Sequence, residues 1–181
     1  MMVTGKTRFI CIEGLYGCGK STRINLLSEE LGRRGLLTQR IRDPGGPEIS
    51  EKIRSIILNP GHNAMSPTAE LFLYSAARAQ LIHEIVSPAL QQNKIVIADR
   101  FAWSTLAYQG YGRELSMELI EELTTIAVNG YWPELTFILD IPVETFRERA
   151  RLEGRSADRL ELEQQDFFGR VRQGYREIAA T

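Results

Sequence analysis

The sequence predicts an α/β fold, a parallel sheet with helices on both faces. Three observations predict it. Short apolar runs alternate with amphipathic stretches along the whole chain. Runs such as Lys94–Ala98 (KIVIA) are almost wholly apolar, as in strands buried on both sides. A glycine-rich loop follows the first such run and leads straight into a helical pattern.

Each element has its own signal. Phe9–Ile12 reads as the first strand. Ser21–Arg34 follows as a helix, with Ile24, Leu27 and Leu31 on one face and Gly35 as its stop. Leu37–Ile41 is the second strand. Pro47–Leu58 is a short helix with Ile49, Ile53, Ile56 and Ile57 on one side. Ser66-Pro67 starts a longer helix, its apolar stripe running through Leu71, Tyr74, Ala77, Leu81 and Ile85. Pro88 ends or kinks it. Lys94–Ala98 is the third strand and Leu135–Ile141 the fourth. Between them, residues 103–128 read as helical with a break near Gly110 and Gly112. Val143–Leu152 and Leu160–Ile178 are helices flanking an arginine-rich loop. With no repeat, linker or low-complexity tract, residues 1–181 read as one domain.

Bulk composition narrows the function. The 22 cations and 23 anions give a net charge of −1, which argues against broad attraction to nucleic acid or membranes. The two cysteines, Cys11 and Cys18, are too few for a disulfide framework and suit a reducing cytoplasm. No apolar run approaches the length of a membrane span, and the N-terminus has no signal-peptide core. His62 and His83 are isolated, without metal-ligand spacing.

Residues 14–21, Gly-Leu-Tyr-Gly-Cys-Gly-Lys-Ser, match G-x-x-x-x-G-K-[ST] in full. The pattern has a physical cause. A chain that turns several backbone N–H groups toward a polyphosphate leaves no room for side chains, so Gly14, Gly17 and Gly19 fit. The helix behind adds its positive end. The stretch Gly14, Leu15, Tyr16, Gly17, Cys18, Gly19, Lys20, Ser21 and Thr22 is therefore the candidate ATP-binding segment. Lys20 is placed for the β- and γ-phosphates and Ser21 for Mg²⁺. The motif alone does not separate a kinase from a GTPase or an ATPase. Asp99 and Arg100 close the third strand, at the sheet edge where α/β ligands bind. Asp99 can hold Mg²⁺ directly or through water, and Arg100 can fork onto phosphate. A surface ion pair is the plainer alternative for these two.

Further motifs follow in order: Ile12-Glu13-Gly14, Arg42-Asp43-Pro44-Gly45-Gly46, Ala76-Ala77-Arg78-Ala79-Gln80, Asp99-Arg100-Phe101, Ser104-Thr105-Leu106-Ala107-Tyr108-Gln109-Gly110, and Asp158-Arg159-Leu160-Glu161 with Phe167-Phe168. Together they make the chain resemble the thymidylate kinase family over nearly its whole length. The resemblance implies a P-loop fold of the nucleoside-monophosphate kinase type, with ATP and Mg²⁺ as cofactors, dTMP as substrate, and a homodimer. It places Arg42 and Arg54 near the acceptor phosphate, although Arg54 also fits a solvated helix face. It stacks Tyr74 on the base, a position usually held by phenylalanine, although Tyr74 also fits a core stripe. It has Arg78 donate to a thymine carbonyl, Ser104 and Gln109 contact the acceptor, and Tyr108 exclude a ribose 2′-OH. It also makes residues 147–159 a mobile lid whose arginines do catalysis, because the phosphate loop has none. Arg149, Arg155 and Arg159 are the candidates, whereas ion pairing along a solvated helix accounts for Arg147.

Two features depart from that family. Tyr16 stands where an acidic residue is usual, and the family's last strand and closing helix have no counterpart before Thr181. These departures leave two other readings open: a kinase for another deoxynucleoside monophosphate, or a nucleotide-binding regulator without turnover.

Overall fold

The four strands expected from the apolar runs are present in the computed structural model, which describes residues 8–154 and 156–180. They are β1 (Phe9–Gly14), β2 (Thr38–Arg42), β3 (Ile95–Asp99) and β4 (Leu135–Leu139). All pair in parallel, in the order β2-β3-β1-β4. β1 is buried along its whole length between β3 and β4. Its register sets Ile12 beside Asp99, and β2 sets Arg42 beside Asp99 from the other side. The carboxyl ends of three strands thus meet at one edge.

Alternation along the strands supplies two apolar faces. Phe9 and Cys11 of β1, with Val96 and Ala98 of β3, pack against Leu81, Val86 and Ala89. Ile12 and Ile97 pack on the other side, against Ile24, with Leu27 and Leu31 alongside. Helix α1 (Lys20–Arg33) covers this second face. Helices α2 (Glu48–Leu58) and α3 (Pro67–Leu81) follow β2. Ser66 caps α3 by accepting from Ala69 N at 3.2 Å.

The chain after α3 differs from expectation at Pro88. The helix neither stops nor simply kinks. A π-helical turn, Ile82–Val86, precedes α4 (Ser87–Gln91), which holds Pro88 in its first turn. Proline has no N–H for the regular ladder, and a first turn does not require one. The region 103–128 likewise divides into α5 (Ala102–Thr105), a π-helical stretch Leu106–Gly112, and α6 (Met117–Val128). Beyond β4, α7 (Val143–Glu153) ends at left-handed Gly154. Helix α8 (Gln165–Ile178) starts five residues later than expected, because Arg159–Glu163 form turns and a bend rather than helix. Among the described residues, no helix is long and apolar enough to cross a membrane.

Candidate active site

The phosphate loop takes the shape its glycines permit. Gly14 has φ +130°, and a β-carbon there would stand 2.4 Å from the Leu139 carbonyl oxygen. Gly17 and Gly19 also have positive φ. Helix α1 then begins at Lys20 with no side-chain cap and no acidic residue in its first turn. Its first N–H groups are left for an anionic ligand. Lys20 is only 7% exposed and folds back on the loop, donating to Leu15 O at 2.9 Å and Gly14 O at 3.3 Å. Burial, with the nearby Arg100 charge, lowers its pKa to about 8.

A cavity of about 740 Å³ opens on this loop. Tyr16, Gly17, Gly19, Lys20, Ser21 and Thr22 line it, while Gly14, Leu15 and Cys18 lie behind. On the far side it is lined by Arg42, Arg54, Tyr74, Arg78, Asp99, Arg100, Ser104, Tyr108 and Gln109. Among the described residues, seven of its lining side chains are cationic and four are carboxylates. An almost neutral chain has therefore gathered positive charge where a phosphate ligand needs it.

The individual geometries refine the expected roles. Arg100 has φ +67°, a rare conformation for a side chain of its size. Its N–H is anchored to Ile12 O at 3.0 Å, and its guanidinium lies 5.1 Å from the centre of the Tyr108 ring. Arg54 donates to Pro44 O at 2.8 Å, and Arg42 pairs with Glu51 at 2.8 Å. Tyr74 is buried on α3, four residues before Arg78. Arg78 is 1% exposed, with Nε on Asp43 Oδ2 at 2.6 Å and Nη2 on Thr105 Oγ1 at 2.8 Å. Among the described residues, its Nη1 is buried without a hydrogen-bond partner, as is Asp43 Oδ1. Such orphans are costly in a folded protein and suit a polar ligand in the cavity that both residues line. The Ser104 hydroxyl is already engaged, on Glu13 at 2.6 Å, and the Gln109 amide donates to Glu70 at 2.7 Å.

The lid arginines divide. Arg149, on α7, donates to Gly17 O at 2.6 Å and so lies over the phosphate loop. Arg155 falls outside the described residues. Arg159 is placed elsewhere. It is only 6% exposed, donates to Ile57 O at 2.7 Å and pairs with Glu70 at 2.5 Å. A fully buried carboxylate that also binds Arg113 at 3.0 Å holds it as a structural clamp, away from the cavity lining. Arg147 donates to Glu163 O at 3.0 Å, in keeping with a structural role.

Sequence reasoning missed several residues. Asp43 entered only as a member of the Arg42–Gly46 motif, yet it lines the cavity and holds Arg78. Arg23 also lines it, one helical turn beyond Gly19. Glu13 and Tyr175 sit beneath Arg100. Besides its place in Ile12-Glu13-Gly14, the sequence signal for Glu13 is a carboxylate inside an apolar strand, which burial makes expensive without partners.

The comparisons with known proteins agree with one another. The family model described as "Thymidylate kinase" matches residues 12–181. A thymidylate kinase of Pelotomaculum thermopropionicum is 46% identical over 175 residues, 97% of this chain and 81% of the relative. One of Trichlorobacter lovleyi is 48% identical over 180 residues, 95% of this chain and 84% of the relative. The crystal structure of thymidylate kinase from Ehrlichia chaffeensis is similar with a TM-score of 0.76 at 32% identity, covering 97% of this chain and 82% of that one.

Proposed function

The chain belongs to the thymidylate kinase family, and from that premise we propose that it transfers the γ-phosphoryl group of ATP to dTMP, giving ADP and dTDP. The observation that carries this reading is a single cavity. It joins the phosphate loop, through Lys20 and Ser21, to an end marked by buried Tyr74 and, among the described residues, the unpartnered Nη1 of Arg78.

In this reading the loop backbone and Lys20 hold the β- and γ-phosphates of ATP. Ser21 Oγ and Asp99 Oδ2 lie 3.3 Å apart on the cavity wall. Both are oxygen donors, which suits Mg²⁺, a hard ion that completes its shell with water and phosphate oxygens. Bound there, Mg²⁺ supplies positive charge against the phosphate oxygens. Arg100, with Arg42 and Arg54 nearby, holds the acceptor phosphate. Tyr74 carries the base, Arg78 donates to its carbonyl, and Tyr108 and Gln109 close the sugar and base side.

No general base is needed, because a phosphate monoester has its second pKa near ~6 and is already anionic at neutral pH. The acceptor oxygen bonds to the γ-phosphorus as the bond from that phosphorus to the β–γ bridging oxygen breaks. ADP leaves with the bonding electrons. Catalysis is alignment and charge stabilisation by Lys20, Arg100 and Arg149. Arg149 is favoured over Arg159 because it alone of the two reaches the loop.

Family membership also supports a homodimer, and exposed Ile49, Ile56 and Phe72 on the packed α2–α3 pair offer an apolar surface for it. A cytoplasmic setting fits the two free cysteines. A coupled ADP-release assay over dTMP, dUMP, dCMP, dGMP and dAMP tests the proposal. Preferred turnover of dTMP supports it. Preference for another monophosphate, or ATP binding without ADP release, overturns it.

A further inference from the structure

We propose that Glu13 and Tyr175 are positioning residues for Arg100, delivering the charge of a buried carboxylate to it through a tyrosine hydroxyl carried on α8. The inference rests on the reading of Arg100 as a ligand of the acceptor phosphate.

Glu13 is fully buried at the end of β1, immediately before the phosphate loop. Its carboxylate accepts from Phe101 N at 2.8 Å, Ser104 N at 3.2 Å, Ser104 Oγ at 2.6 Å and Tyr175 OH at 2.9 Å. Burial raises its pKa, while Arg100, Ser104, Phe101 and Tyr175 oppose the rise. Arg100 Nη1 in turn donates to the Tyr175 hydroxyl oxygen at 3.0 Å. The bonds run in one direction, from guanidinium to hydroxyl to carboxylate. A hydroxyl that donates to a carboxylate becomes a better acceptor, so each bond strengthens the next.

The hydroxyl between the charges has a purpose. Direct pairing with Glu13 would satisfy the Arg100 fork and compete with a phosphate. The spacer holds Arg100 Nη1 at one point while Arg100 still lines the cavity. Tyr175 reaches Arg100 only if α8 is seated closely, and α8 follows the arginine-rich segment directly in the chain. The seating of α8 is thereby linked to the grip on the acceptor phosphate.

Equilibrium dTMP and ATP binding by calorimetry, on wild type, Tyr175→Phe, Arg100→Ala and the double variant, tests this. Tyr175→Phe is expected to weaken dTMP by about tenfold and to leave ATP within about twofold, from losing one hydrogen bond to a charged group. In the Arg100→Ala background the same change is expected to cost less than about twofold, the non-additivity of residues acting through one another. Glu13→Gln keeps the shape and removes the charge, so it gives the same selective loss if Tyr175→Phe folds poorly. Equal cost in both backgrounds, or parallel weakening of ATP and dTMP, overturns the inference and leaves Arg100 in its role. An Arg100→Ala variant that binds dTMP as wild type overturns the reading of Arg100 itself, and this inference with it.

Discussion

In the proposed reaction Lys20 has two occupations, holding the loop carbonyls without nucleotide and phosphate with it. Its lowered pKa makes the change visible. The charged form binds phosphate, so kcat/KM for ATP is expected to fall as pH rises through about 8. Bound phosphates favour the charged lysine, so the corresponding limb in kcat moves to higher pH. A pH–rate profile with saturating dTMP checks both limbs. Arg78 carries a second residue-scale prediction. Because it pairs with Asp43 in the interior, Arg78→Ala strands a buried carboxylate and is expected to cost about 3–5 kcal/mol of stability. It also removes the donor for the thymine carbonyl. The double variant Arg78→Ala/Asp43→Ala is expected to regain much of that stability while still failing to favour dTMP over dCMP. Urea unfolding and kcat/KM for the two substrates separate these effects. At this scale the glycine loop was legible because its geometry is local. The pairing of Arg159 was not legible, because its partner Glu70 lies 89 residues away. Asp43, Glu13 and Tyr175 were missed for the same reason.

At the scale of elements, α8 and the π-helical stretch Leu106–Gly112 are packed so closely that glycines make the contact. A β-carbon on Gly174 would stand 2.5 Å from the Tyr111 ring and 3.0 Å from Tyr111 Cβ. The near part of that side chain cannot swing away, so Gly174→Ala is expected to destabilise by about 1–3 kcal/mol. A lowered urea midpoint at unchanged slope is the signature of a pure stability loss. Helix periodicity located α1 and α3 well, since each buries one continuous stripe. The π-helical turns were not legible. Their widened spacing follows from packing, and only Pro88, Gly110 and Gly112 marked where the pattern would break. The last helix was read too long because Leu160 is apolar and buried, although it sits in a turn.

For the whole molecule, the β-α alternation was enough to give a parallel sheet with helices on both faces. The order β2-β3-β1-β4 was not in the sequence, because pairing depends on which faces meet after collapse. That order is what makes the site. It sets β1 beside β3, bringing the phosphate loop to Asp99 and Arg100, and places β2 with Arg42 next in line. The cavity charge follows from the same arrangement, since the chain as a whole is nearly neutral. The central claim is that this cavity moves phosphate from ATP to dTMP, and tracing label from γ-³²P-ATP in wild type and Lys20→Ala tests it most directly. Wild type is expected to place the label on dTDP, and Lys20→Ala to do so ~10²–10³-fold more slowly. Label reaching dTDP at a similar rate in both proteins, or never reaching it in wild type, would contradict the account.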